Sequence, residues 1–393
     1  MDRPHGQTGH LLRSNLCCPR VIRPWRQVGG WGRLGAWPAV AMSVCPGSFV
    51  SVSFWTVDPL RIEERLAEYL RSSAVVVEVS SFVQLAGGWE ADIYSFDVSP
   101  ALSNGLDRLV LRVYSGGEGG RKASREFSGI GLLARCGYPV PQVVSFDSEG
   151  TALGRPFLIM QRIEGTLLGE AMVDDGQLHE APTLDFVRLM VDMHELDWRP
   201  FAEPLTGETN PEPLSRARRL LEGWRSDLRE LPGFSAPADW LLAELDQITP
   251  EPPAVIHGDF HPWNVLVDQS GRLKVIDWTG ITVLDRRYDL AWSLLLAGAY
   301  LGNEARQQLE NLYRSLATRR LSDLGYFDAH AATMRLHHMV VSLTSSPEEV
   351  GMLAGAADAM REQVTAYRWV ADLLADRTGL VIPEVEALLV EGE

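Results

Sequence analysis

Lysine is almost absent from this chain. Of 36 basic side chains in 393 residues only Lys122 and Lys274 are lysines, so any chemistry that depends on an amine has almost nowhere to reside. Positive charge as a whole is outnumbered. The 52 acidic residues leave a formal net charge of −16, which argues against non-specific binding to nucleic acid or to an anionic membrane surface. Cysteine is scarce too, and Cys17, Cys18, Cys45 and Cys136 have neither the spacing of a metal site nor that of a disulfide framework. A reducing, cytoplasmic setting is the expectation. There is no internal repeat, and beyond the first 57 residues no low-complexity tract. With 46% hydrophobic and 22% charged residues, the chain is long enough for two or three domains with a sizeable core.

Residues 1–57 differ from the rest. They hold six arginines, one acid (Asp2), no lysine, many Gly, Trp and Pro, and no sustained helical or strand period. Ala36 to Trp55 is uncharged, as a signal or an anchor would be, but Pro38, Pro46 and Gly47 weaken both readings. A start codon assigned too far upstream produces the same text, and Met42 offers a later start. The expectation is an atypical extension, disordered or mis-assigned.

From residue 58 the text becomes that of a folded protein. Asp58 can cap a helix with Pro59 at its first position and Ile62, Leu66, Tyr69 and Leu70 on its apolar face. Val75 to Leu85, Ala91 to Val98 and Arg108 to Tyr114 read as strands, the first two separated by Gly87-Gly88-Trp89-Glu90. Arg121 to Cys136 is helical, and Gly137 stands where a left-handed cap is wanted. After the apolar strand Phe157 to Ile163 the texture changes to long helical periods with Pro-rich joints, and a boundary is expected near residue 165. Within the helical half, short strands at Val255 to Ile256, Val265 to Val267 and Leu273 to Ile276 present loops.

Those loops carry the chemistry. The string from His257 through Gly258, Asp259, Phe260, His261, Pro262 and Trp263 to Asn264 is followed by Asp277 in an Ile276-Asp277-Trp278 context. Phosphoryl transfer to an alcohol needs a carboxylate to orient the hydroxyl and accept its proton, plus hard oxygen ligands for magnesium. Asp259 supplies the first and Asn264 with Asp277 the second. Pro262 and its apolar neighbours would stiffen the loop.

His257-x-Asp259-x-x-x-x-Asn264 with Asp277 resembles the aminoglycoside phosphotransferase-like family of small-molecule kinases, which share the architecture of protein kinases. The resemblance implies an α+β, two-lobed protein-kinase-like fold: a small N-terminal antiparallel sheet with one helix, then a larger, mainly helical C-terminal lobe. Residues 58–165 would form the nucleotide-binding lobe and hinge, and residues 166–393 the lobe with the catalytic and metal loops. It implies Asp259 as catalytic base and Asn264 and Asp277 as metal ligands. The family's third-strand lysine is replaced, in this chain, by Arg112, which retains the charge but reaches differently. Glu126 would be its partner on the helix. Gly87 and Gly88 would let backbone approach phosphates, although a plain hairpin turn uses a Gly pair equally well. Met160 to Gly165 resembles the hinge whose backbone reads the base, with Gln161 and Ile163 as the contacting positions. Asp289 resembles the aspartate that braces the catalytic loop, an acid in the first turn of a helix being the ordinary alternative. His257, His261 and His194 read as hydrogen-bonded structural histidines.

The implied activity is transfer of the ATP (or GTP) γ-phosphate, with Mg2+, to a hydroxyl of a small molecule. Asp174, Asp175, Asp185, Asp192 and Glu195 could draw a cationic acceptor, or simply form a solvated acidic face. The competing reading is a catalytically silent nucleotide-binding protein acting as a ligand-controlled switch, motivated by Arg112.

Overall fold

The computed structural model describes residues 59–72, 78–87, 91–102, 104–115, 117–174, 176–344 and 363–392. The expected extension over residues 1–57, the Asp58 cap and Gly88 lie outside these residues.

Helix α1 (Pro59–Ser72) precedes an antiparallel sheet of β1 (Glu78–Gly87), β2 (Ala91–Ser99), β3 (Arg108–Tyr114), β4 (Val143–Asp147) and β5 (Phe157–Gln161). Its spatial order is β1-β2-β3-β5-β4. Between β3 and β4 the chain makes α2 (Gly119–Arg135), which ends at Gly137 in the left-handed conformation, φ +77°, with the Gly137 and Tyr138 amides returning to Ala134 and Leu133.

The period of two along β3 decides what each face of the sheet does. Leu109, Leu111 and Val113 point to one face, where Phe157 and Ile159 of β5 and Ile62, Leu66 and Leu70 of α1 close a small core. Arg112 and Tyr114 point to the other, which α2 covers with Ala123, Glu126, Ile130 and Leu133, a buried stripe at helical spacing. That second face is continuous with the core of the helical half through Leu158, Met160 and Tyr138.

The C-terminal part begins with β6 (Gly165–Leu167), α3 (Leu168–Met172) and the short pair β7 (Val173–Asp174) and β8 (Gln177–Leu178). Helices α4 (Glu180–His194), α5 (Arg199–Thr206), α6 (Pro213–Asp227) and α7 (Ser235–Glu244) follow. Four short strands then carry the loops: β9 (Ala254–Ile256), β10 (Val265–Asp268), β11 (Leu273–Val275) and β12 (Thr282–Leu284). Strand β10 pairs with β11 and β6, and β9 with β12, all antiparallel. Helices α8 (Arg287–Leu301), α9 (Asn303–Leu316), α10 (Leu324–Thr344), α11 (Val364–Thr378) and α12 (Pro383–Gly392) complete the chain. The two-lobed α+β arrangement expected from the sequence is the one observed. Strand β4 was not foreseen, because its five residues are all half-buried on the sheet edge and carry no alternation.

Helix α10 carries three imidazoles, His337 buried and His330 and His338 half-buried. His330 packs on the Tyr288 ring and His337 on Trp224 and Phe234. Burial pushes His330 and His337 down to about 4 and, with help from His337 and Arg335, His338 to about 3, against 6.5 for a free imidazole. The unfolded chain therefore takes up these protons first as pH falls, and stability present above pH 6.5 is lost progressively towards pH 4. Each group contributes a slope of about 1.4 kcal/mol per pH unit. The urea midpoint should be clearly lower at about pH 5 than at about pH 7.5; equal midpoints would show that these rings are protonated in the fold.

Candidate active site

Strand β3 brings Arg112 into the space between the sheet and the loops of the helical half, and there its guanidinium meets two carboxylates. Nη2 donates to Asp277 Oδ1 at 3.0 Å, and Nε lies 3.6 Å from Glu126 Oε2. Arg112 is 8% exposed and Glu126 fully buried. Burial alone would ease the proton off the guanidinium, but Glu126 and Asp277 hold it on. The Tyr114 hydroxyl donates to the same Glu126 oxygen. Helix α2 is tied to the loop that holds Asp277: Arg125 donates to the Thr279 carbonyl at 2.8 Å. At Gly129 a side chain is impossible without displacement, since a Cβ would stand 2.7 Å from Ile281.

The loop after β9 places Asp259. Its Oδ1 accepts the Trp292 indole N–H at 2.6 Å. The Asn264 amide donates to the Asp259 carbonyl at 3.0 Å and lies 3.4 Å from Oδ2, while His261 Nε2 is 3.5 Å from Oδ2. With its amide nitrogen turned to Asp259, Asn264 presents its carbonyl oxygen elsewhere. His257 joins the two loops. Its Nδ1 accepts the Asp259 backbone N–H at 3.2 Å, so Nε2 carries the proton and donates to the Ile276 carbonyl at 2.9 Å. The Ile276 N–H in turn donates to the Asn264 carbonyl at 2.9 Å. Gly258, at φ +87°, lets the backbones touch; a Cβ there would lie 2.8 Å from the Gly280 carbonyl oxygen.

Asp277 itself is left-handed, φ +63° and ψ +62°, a conformation that Asp tolerates better than most residues. Burial raises its proton affinity, but Arg112 beside it, with His257 and His261 nearby, keeps the carboxyl below its ordinary value. Trp278 next to it is fully buried, its indole N–H donating to Val275 at 2.9 Å and its ring against His257 and Tyr138.

Asp289, near the start of α8, braces this assembly. Its two oxygens accept the backbone N–H groups of His257 at 2.6 Å and Gly258 at 2.7 Å. Behind it runs a buried relay: Arg286 donates to the Tyr313 hydroxyl at 3.2 Å, Tyr313 to His194 Nδ1 at 2.9 Å, and His194 Nε2 approaches Asp289 at 3.4 Å. Burial lowers the His194 pKa, which keeps the ring neutral in this chain of donors.

The structure thus gathers Arg112, Glu126 and Asp277 in one cluster and His257, Asp259, Asn264 and Asp289 in another, with the two stitched through Ile276. In the segment expected to act as a hinge, the Gln161 N–H is committed to the Gln142 carbonyl and the Arg162 N–H to the Arg108 carbonyl, whereas the Ile163 N–H and C=O have no protein partner among the described residues. Gly87 ends the β1–β2 ladder opposite Asp92. The amide carbonyl of Asn264 and the carboxylate of Asp277 offer a divalent ion two side-chain oxygens, and no group of three or more His, Cys, Asp and Glu suited to a metal occurs among the described residues. Two hard oxygen donors fit magnesium, which keeps waters and phosphate oxygens as its other ligands.

Sequence reading missed Trp292 and Tyr114. Trp292 lies three residues beyond Asp289 on one helix, a spacing that puts both on the same face; that signal was available. Beside Asp259 opens a cavity of about 90 Å³, walled by Phe186, Trp263, Trp292, Leu296, Tyr300 and Leu301.

The chain is 25% identical over 180 residues to acyl-CoA dehydrogenase family member 11 of Gallus gallus, a match covering 44% of the chain but 22% of that relative. The chain therefore corresponds to a small part of the curated relatives it matches. Among solved structures, a thermostable mutant of aminoglycoside phosphotransferase APH(4)-Ia in ternary complex with AMP-PNP and hygromycin B superposes with a TM-score of 0.53 at 19% identity, over 81% of this chain and 99% of that one. Macrolide 2'-phosphotransferase type I does so with a TM-score of 0.54 at 18% identity, over 80% and 98%. These likenesses show the protein-kinase-like fold. The family model of the phosphotransferase enzyme family (APH) matches residues 81–324, which include every residue of the two clusters, and the chain belongs to that family.

Proposed function

We propose that this protein transfers the γ-phosphoryl group of ATP, or of GTP, to a hydroxyl of a small molecule. The observation that carries the reading is Asp259: a buried carboxylate locked at one oxygen by Trp292, joined to Asn264, and lining a cavity in which an acceptor hydroxyl can reach it. The carboxylate orients that hydroxyl and receives its proton as the oxygen attacks phosphorus in line with the leaving nucleoside diphosphate. Asn264 and Asp277 would hold magnesium, which when bound neutralises charge on the phosphates. Arg112, its guanidinium held between Glu126 and Asp277, would offer its remaining N–H groups to phosphate oxygens. The backbone of Ile163, lacking a protein partner among the described residues, would read the base, and residues 58–165 are read as the nucleotide-binding lobe.

A silent switch is the weaker reading, because base, amide and metal carboxylate are all present and mutually hydrogen-bonded or stitched. No helix among the described residues is long and apolar enough to cross a membrane. The scarcity and spacing of cysteine support a reducing, cytoplasmic setting as our reading.

Asp259→Asn should leave nucleotide binding near wild type and lower turnover by about two orders of magnitude or more, measured as ADP release over a panel of hydroxylated acceptors. Undiminished turnover would remove Asp259 from this role. Asp277→Ala should abolish the extra thermal stability that ATP with magnesium confers beyond ATP alone. A retained magnesium increment would show that the ion is held elsewhere.

A further inference from the structure

The walls of the cavity beside Asp259 bear on the acceptor, and this inference rests on the phosphotransferase reading. Asp259 is the one carboxylate among the described residues that line it, and Arg335, 4% exposed, is the one permanent cation. The remainder is mostly indole, phenyl and aliphatic surface, with Trp292 serving both as a wall and as the group that fixes Asp259. The acidic residues that could have drawn a cation do not reach it. Asp174 and Asp192 are exposed, Asp185 and Glu195 half-buried, and none lines the cavity, while Asp175 lies outside the described residues.

Two costs follow for a polyamino acceptor. Among the described residues, an ammonium group brought to this site loses water without gaining a carboxylate other than Asp259, and the Arg335 guanidinium already stands in the wall. A hydroxyl on an apolar body has neither cost, and gains with every methylene removed from water. We infer that the acceptor is an uncharged or weakly polar alcohol carried on an apolar body, not a polycationic sugar: the hydroxyl points to Asp259 and the body lies among Trp263, Leu296, Tyr300 and Leu301.

Isothermal titration of the full chain, saturated with ADP and magnesium, with straight-chain alkanols from butanol to decanol tests this directly. Affinity should rise roughly fourfold per methylene until the cavity is filled, and kanamycin should bind more weakly than the best alkanol. Ala297, which lines the cavity at 7% exposure, gives a folding-tolerant control. Ala297→Val should keep the melting temperature near wild type and move the plateau to a shorter alkanol. A flat or absent alkanol series, kanamycin binding tighter than every alkanol, or an unmoved plateau in folded Ala297→Val would each overturn the inference. The parent reading fails separately, when magnesium adds nothing to stabilisation by ATP and ADP release is insensitive to Asp259→Asn.

Discussion

A carboxylate almost wholly closed off from water holds the loop after β9 in place. Asp289 is 1% exposed, and burying its charge is costly unless every oxygen finds donors. It finds two backbone N–H groups, those of His257 and Gly258, and a third approach from neutral His194. Charge-assisted hydrogen bonds of this kind are about twice as strong as neutral ones. The position of Asp259 follows, because its own backbone N–H is bonded to the His257 ring and its side chain to an indole on the same helix as Asp289. One helix therefore determines both where the loop runs and how its carboxylate is turned.

The second determinant is the Arg112 pairing, which works across the two parts of the fold. Strand β3, helix α2 and the turn after β11 each contribute one member. Removing Arg112 would leave two carboxylates facing each other without their counterpart, and loss of a buried partner of this kind typically costs about 3–5 kcal/mol. The arrangement is better understood as a device for relative placement than as a source of net stability, since a buried ion pair repays little beyond its desolvation. Arginine suits that task in a way lysine would not, because its planar fork addresses two carboxylates at once.

What could be read in the sequence was what is short-ranged. Asp259, Asn264 and Asp277 announce themselves by spacing, and the alternation of Arg108 to Tyr114 already assigns Arg112 and Leu111 to opposite faces. The Gly137 cap is likewise a local matter. Partners across long separations were less legible: Glu126 as partner of Arg112 came from family resemblance, not from its position in an otherwise apolar stripe. The Trp292 bond to Asp259 joins residues 33 apart and depends on how α8 docks. For the acidic residues of the helical half the sequence left two readings, a draw for a cationic acceptor or a solvated face, and Asp174, Asp185, Asp192 and Glu195 fit the solvated one, since composition records how many charges a segment has and not which side of a helix meets the site. His257 and His194 are hydrogen-bonded as expected, whereas His261 has a buried Nδ1 without a hydrogen-bond partner among the described residues; nothing local reveals that His194 stands between Tyr313 and Asp289.

The division of the hydrophobic interior has a consequence for cooperativity. Only the α1 face of the sheet encloses a core of its own, while the α2 face is built into the interior of the helical half. The two lobes are therefore not two folding units. Melting the helical half would strip α2 and the Arg112 side of the sheet of their packing, leaving too little apolar burial for the strands to persist alone. The sheet that carries Arg112 is therefore expected to unfold together with the helices on which α2 packs.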